Sequence, residues 1–297
     1  MNAIELFEVN KFFGDHHAVV DMSFAVPFGS VYGFLGPNGA GKTSTIRMIM
    51  SILYPDSGSL QVLGDTMPER VKDQLGYLPE EKGLYKKMKT VELITYFGRL
   101  KGMSKRDAAS QARHLLDRFG LGDCENLRCE ALSKGMGQKV QIISTLIHDP
   151  EVIILDEPFS GLDPINVELV RDIILDLKSQ GKTVIFSTHI MEQAEQICDA
   201  ILLINGGRKI LDGSIAENKG DFAPTLLVDY EGDPSRLQQQ GVVRVNNMGR
   251  TAELSLAENA DTQLLLKSLM EHLNLKSFTI REPSLHEIFV RTVGKSQ

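Results

Sequence analysis

The chain has 297 residues, 42% hydrophobic and 24% charged, enough for one large α/β domain with an appendage or for two domains with substantial cores. Its 32 basic against 39 acidic side chains leave a formal net charge of −7, which argues against coating nucleic acid or anionic lipid by bulk charge. Cys124, Cys129 and Cys198 cannot build a disulfide framework and lack paired zinc-site spacing, so they read as buried or partly buried thiols in a reducing compartment. The apolar runs have strand length and the charged amino-terminal stretch holds no apolar signal core. A cytoplasmic chain that does not itself span a membrane is expected.

In chain order, IELFEV, AVVDMSFAV and SVYGFL alternate in the manner of strands, with Pro27-Phe28-Gly29 turning the chain before the third. SVYGFL runs straight into GPNGAGKTSTIRMIMSIL, where Ile46, Ile49, Met50 and Leu53 change the period to that of a helix. A strand, a Gly-rich turn and a helix open a parallel α/β unit. The turn chemistry of Tyr54-Pro55-Asp56-Ser57-Gly58 ends that helix. From about 84 to 148, the segments TVELITYFGRL, SKRDAASQARHLLDRFGL and GMGQKVQIISTLIHD carry helical spacing, so a mainly helical insertion interrupts the core. EVIILDEP, the amphipathic VELVRDIILDLKSQG and KTVIFSTH then return to the parallel-strand pattern, and ILLINGGRKILDG reads as two strands about a Gly-Gly turn. The polar stretch Asn218-Lys219-Gly220-Asp221 marks a boundary, which gives domains over 1–220 and 221–297. The second runs TLLVDY, VVRVNN, TAELSLA, a helix ADTQLLLKSLMEHL, a strand LKSFTIR and a final helix SLHEIFVRTV, a small α+β domain. The fold class is α/β: a phosphate-loop core with a helical subdomain, plus that small C-terminal domain.

Gly36-Pro37-Asn38-Gly39-Ala40-Gly41-Lys42-Thr43 matches G-x-x-x-x-G-K-[ST] and sits between strand and helix, as the motif requires. Glycines at 36, 39 and 41 let backbone N–H groups turn inward as a nest for nucleotide phosphates, to which the following helix adds its positive end. Lys42 reaches the β- and γ-phosphates and the Thr43 hydroxyl ligates Mg²⁺. A phosphate loop needs a partner acid. Glu151-Val152-Ile153-Ile154-Leu155-Asp156-Glu157 supplies a buried strand ending in two carboxylates, Asp156 for the metal and Glu157 to polarise the attacking water as general base. His189 ends VIFSTH and belongs at the same sheet edge, where ligands gather. A lone histidine there is more often a satisfied structural one, but behind the metal acid it is assigned to the γ-phosphate. The remaining histidines, His16-His17 among them, have no partner at ligand spacing and read as surface residues.

These elements in this order resemble the ATP-binding subunit of an ABC transporter over residues 1 to about 215. Leu132-Ser133-Lys134-Gly135-Met136-Gly137-Gln138 stands where the family carries its LSGGQ signature, with Lys134 and Met136 departing from it. Ser160-Gly161-Leu162-Asp163 matches the D-loop and Thr188-His189 the switch histidine. Gly76-Tyr77-Leu78-Pro79-Glu80 falls at the Q-loop, with Glu80 where glutamine is usual. The resemblance implies ATP and Mg²⁺, held by the phosphate loop through Ser44, with Phe13 stacked on adenine and Glu80 offering an oxygen to the metal. It also implies that Ser133, Gly135 and Asp163 act on a nucleotide of a second ATP-binding subunit packed head to tail, most simply a second copy. The partners implied are transmembrane permease subunits at the cytoplasmic face of the membrane, and no nucleic acid. The lysine-rich run 81–89 beside the Q-loop is either a solvated face or part of that docking surface. Arg281-Glu282-Pro283-Ser284-Leu285-His286-Glu287-Ile288-Phe289 resembles the ending of type 2 exporter ATPases, which points to export. Rival readings are a soluble ATPase of the same class acting on ribosomes or DNA, and a binding-only regulator. The first usually carries two ATP-binding domains or a long coiled-coil arm, and this chain has neither; the complete set Lys42, Asp156, Glu157 and His189 argues against the second.

Overall fold

The apolar runs that begin the α/β pattern are buried along their whole length, as strands covered on both faces must be. The computed structural model describes every residue except 82, 221, 223, 258, 259 and 295–297. It divides into two compact units, Met1–Gly213 and Ser214–Gln297.

In the first unit the elements run β1 (Asn2–Phe13), β2 (His16–Pro27), β3 (Val31–Leu35), α1 (Lys42–Ile49), β4 (Ser57–Val62) and β5 (Leu75–Leu78). The helices α2 (Thr90–Leu100), α3 (Lys105–Arg118) and α4 (Lys134–Leu146) follow, then β6 (Val152–Leu155), α5 (Pro164–Ser179), β7 (Thr183–Thr188), α6 (Met191–Ile197), β8 (Ala200–Asn205) and β9 (Arg208–Ser214). β2, β1 and β4 form an antiparallel sheet in that order, and a second sheet runs β5-β6-β7-β3-β8-β9. From β5 to β8 its neighbours are parallel, with Leu78 opposite Leu155, Leu155 opposite Phe186 and Leu35 opposite Thr188. Four carboxyl ends therefore lie side by side: those that lead to the Q-loop, the paired acids, His189 and the phosphate loop. Ser104 and Ser133 cap α3 and α4 by accepting from the backbone N–H groups of Asp107 and Met136, the first-turn donors that a helix cannot satisfy itself.

α1 is a turn shorter than the apolar spacing suggests. Met50 caps it, Ser51 takes a left-handed φ of 51°, and the N–H groups of Ile52 and Leu53 both turn back to the Arg47 carbonyl. β4 carries only two apolar residues, Leu60 and Val62, and β5, though apolar, spans only four residues, too short to show a period.

The second unit comprises α7 (Ile215–Gly220), β10 (Thr225–Glu231), β11 (Val242–Asn247), β12 (Thr251–Leu256), α8 (Thr262–His272), β13 (Asn274–Arg281) and α9 (Leu285–Gly294). Its antiparallel sheet, ordered β11-β12-β10-β13, packs Leu226, Val228 and Leu254 against Leu265 and Leu269 of α8. Residues 218–220 of the polar stretch close α7. Asn218 is buried in α7 with its Nδ2 donating to the Ser214 carbonyl at 2.8 Å; Asp221 lies outside the described residues.

Candidate functional site

The turn from β3 to α1 is built on backbone angles that only glycine takes easily. Gly36 has φ 146°, and a Cβ there would lie 2.1 Å from the Ile204 carbonyl oxygen; at Gly41, φ 107°, it would meet the Ala18 carbonyl oxygen at 2.7 Å. The loop is thereby pressed against β8 and β2 and curls around Lys42. The ammonium donates to the carbonyls of Gly36 at 2.8 Å and Pro37 at 3.2 Å and stands 3.7 Å from the Glu157 carboxylate. Burial lowers the Lys42 pKa below the ordinary lysine value, against the pull of Glu157, Asp156 and Glu80. Thr43 and Ser44, half-buried, open α1 beside it.

Asp156 and Glu157 leave β6 with different surroundings. Asp156 is fully buried; its N–H donates to the Leu78 carbonyl at 2.8 Å and its Oδ1 accepts from Ser187 Oγ at 2.5 Å. The same Ser187 oxygen accepts from the Glu157 N–H at 2.9 Å. Oδ2 of Asp156 is buried without a hydrogen-bond partner among the described residues. Glu157 adopts a left-handed φ of 49°, and both its carboxylate oxygens lie 3.1 Å from Nδ1 of His189, whose ring is nearly half exposed.

These groups border a cavity of about 440 Å³ lined by Phe13, His16, Ala18, residues 38–44, Glu80 and Glu157. The described structure thus brings the phosphate loop, Glu157, Glu80 and Phe13 to one site, with Asp156 and His189 against Glu157. Ser133, Gly135 and Asp163 do not line it. Gly135 and Asp163 are instead linked through Asn166, whose amide lies against Gly135, where a Cβ would meet it at 2.5 Å, and donates to Asp163 Oδ2 at 2.6 Å, while Ser133 caps α4. Asp163 caps α5, and the hydrogen bonds from Asn166 hold its carboxyl below the usual range.

Four residues take places that no motif marks: Ser187, His16, His17 and His148. Ser187 has no motif of its own; its signal is only that it sits one place before Thr188 in β7, level with Asp156 across the sheet. Of the histidine pair expected at the surface, His16 is exposed as expected and His17 is half-buried. His17 stacks on Phe12 at 3.9 Å and bonds Asn10 Oδ1 through Nε2 at 2.9 Å, while His16 faces the cavity. His148 is also held, its Nε2–H donating to the Leu75 carbonyl at 3.0 Å, with burial lowering its pKa. It lines a second cavity of about 380 Å³ between β5 with the Q-loop and helices α2 and α4, together with Pro79, Leu84, Phe97 and Gln141. Tyr85, Tyr96 and Phe97 cluster nearby; Lys86, Lys87 and Lys89 are exposed, and Lys82 lies outside the described residues.

A glycine-rich turn at the carboxyl edge of a parallel sheet, facing a strand that ends in two acids, defines a phosphate-loop nucleotide-binding domain. A family model for ABC transporters matches residues 19–160, and one for the C-terminal domain of DrrA1-3-like ATP-binding proteins matches residues 213–293. An uncharacterised ABC transporter ATP-binding protein of Bacillus subtilis, YhaQ, is 39% identical over 96% of this chain and 97% of its own length. The Nod factor export ATP-binding protein I of Burkholderia lata is 32% identical over 98% and 97%. Among solved structures, an ATP-binding subunit of an ABC transporter superposes with a TM-score of 0.67 at 28% identity, covering 74% of this chain and 92% of its own. The chain belongs to the ABC transporter family, as an ATP-binding subunit with ATPase activity. Subunits of this kind dimerise and work with transmembrane subunits, and no helix among the described residues here is long and apolar enough to cross a membrane.

Proposed function

We propose that the chain hydrolyses ATP in the cavity beside the phosphate loop and, at the cytoplasmic face of a membrane, drives export through separate transmembrane subunits. The observation that carries this is the convergence of Lys42, Asp156, Glu157 and His189 at the ends of adjacent parallel strands. The phosphate loop binds the triphosphate through its N–H groups, and Lys42, already poised on loop carbonyls, turns its charge to the β- and γ-phosphates. Glu157, oriented by His189 and close to Lys42, accepts a proton from the attacking water. His189, on an exposed edge, holds the γ-phosphate.

The residues present fit Mg²⁺. The orphaned Oδ2 of Asp156 is an acid oxygen desolvated with nothing to receive it, which is costly unless a cation or its bound water takes the place. Asp156, the Thr43 hydroxyl and the substrate phosphates would hold the cation. Glu80 offers a further oxygen. Mg²⁺ bound there would neutralise charge on the transferred phosphate.

Because Ser133, Gly135 and Asp163 stand away from this cavity, they are assigned to the nucleotide of a second copy packed head to tail. The second cavity, walled by the Q-loop and two helices and flanked by an aromatic cluster and exposed lysines, is assigned to the transmembrane partner. The relative named for Nod factor export supports the direction. No nucleic-acid partner is expected. Affinity purification of the full chain from membranes in mild detergent tests the reading: a multi-span protein should co-purify, and recovery with ribosomes in place of membranes would overturn it.

A further inference from the structure

The hairpin tip above the phosphate loop carries two aromatic pairs on opposite faces. Phe12 is registered against His17, and these two stack on each other; Phe13 is registered against His16, and both line the nucleotide cavity. His16 has no hydrogen-bond or ionic partner among the described residues, whereas His17 is committed to Phe12 and Asn10. Its place along β2 sets what it meets. Ala18, two residues on, lines the same cavity, and its carbonyl abuts Gly41 of the phosphate loop. Two strand residues span about 7 Å, so His16 lies about that far along the wall from the contact of Ala18 with Gly41, beside Phe13 rather than against the phosphate loop.

Resting on the reading that ATP occupies this cavity, we infer that His16 is a nucleotide-contacting residue that hydrogen-bonds the ribose hydroxyls while Phe13 stacks on the base. The chemistry of the lining selects it. Phe13 and Ala18 offer no polar side-chain atoms, and Glu80 and Glu157 are drawn to the Lys42 end. Outside the phosphate loop, His16 is the one uncharged-capable polar side chain of that wall among the described residues. A neutral imidazole has one donor and one acceptor, and a ribose hydroxyl answers either. The contact makes His16 a determinant of sugar specificity, separate from the phosphate grip of Lys42.

Calorimetric titration of the full chain with ATP and with 2′,3′-dideoxy-ATP tests this. The wild type should bind ATP about threefold to tenfold more tightly than the dideoxy analogue, the range for one neutral hydrogen bond. His16→Ala should lose that preference by weakening ATP alone, and His16→Gln should restore part of it. Phe13→Ala should weaken both nucleotides alike and keep their ratio. A His16→Ala protein that melts like the wild type and still prefers ATP by the same ratio overturns the inference while leaving the cavity assignment intact. Failure of the wild type to bind either nucleotide overturns both.

Discussion

Ser187→Ala is the substitution whose cost is most directly set by the geometry. The hydroxyl donates to Asp156 Oδ1 at 2.5 Å and accepts from the Glu157 N–H at 2.9 Å, and the residue has no exposed surface. Alanine removes both bonds without creating a cavity larger than an oxygen. It leaves a buried N–H unpaired and a buried carboxylate with both oxygens uncompensated, since Oδ2 already lacks a partner among the described residues. A buried group stripped of its partner costs about 1–3 kcal/mol, with charged groups at the upper end, so the pair should cost about 3 kcal/mol. For a unit of this size that is a fall in melting temperature of roughly 6–12 °C. The chain has no tryptophan, so unfolding is best followed by far-ultraviolet circular dichroism. Hydrolysis should fall as well, with a higher Mg²⁺ requirement, because the hydroxyl also fixes the acid assigned to the metal. Ser187→Thr, which keeps the oxygen, should recover most of the stability. An alanine variant within about 0.5 kcal/mol of the wild type, the usual spread of a neutral surface change, would refute the reasoning.

Lys42→Ala should weaken ATP binding at least tenfold in equilibrium titration, the loss expected of one charge-assisted phosphate contact. Glu157→Gln should retain ATP but release phosphate at least tenfold more slowly, about 1.4 kcal/mol in the barrier; a wild-type rate would remove Glu157 as the base. His148 gives a pH signature. Burial lowers its folded pKa, so the unfolded chain takes up this proton first as the pH falls below about 6.5. The contribution of neutral His148 is complete above that value and is lost as acid protonates the unfolded form. Urea midpoints measured from pH 7.5 to 5 should fall more steeply for the wild type than for His148→Gln, and parallel curves would disprove the linkage.

Much of the first unit can be read from residues alone because its signals are local. The run of glycines before Lys42 demands positive φ angles, and an apolar strand ending in Asp156-Glu157 carries its own direction. The same holds for the order of elements after residue 224. What escaped depends on pairing between distant segments. Ser187 acquires meaning only when β6 and β7 lie in the register that sets Leu155 against Phe186. His16 and His17 look equivalent in sequence, and only the β1–β2 hairpin sends one to the cavity and the other onto Phe12. The helical spacing of Met50 and Leu53 continues past Ile49, yet the left-handed turn at Ser51 stops the helix, an effect of backbone geometry that side-chain periodicity does not record.

The paired acids show how one backbone angle gives two neighbouring carboxylates different surroundings. Along a strand, successive side chains point to opposite faces, so two neighbouring carboxylates would ordinarily sit in unlike layers of the fold. β6 ends at Leu155, and the left-handed φ of 49° at Glu157 bends the chain instead. That conformation is uncommon for a residue with a side chain and costs of order 1–3 kcal/mol, so the surroundings must hold it. Ser187 does so by accepting the Glu157 N–H, and with the same oxygen it occupies one side of Asp156. The result is one carboxylate saturated on Oδ1 and bare on Oδ2, suited to a cation. The other lies 3.7 Å from Lys42 and 3.1 Å from His189, the position proposed for the base. Replacing Glu157 by glycine should therefore relieve the backbone and remove the proposed base together, whereas glutamine keeps the bend and removes only the carboxylate.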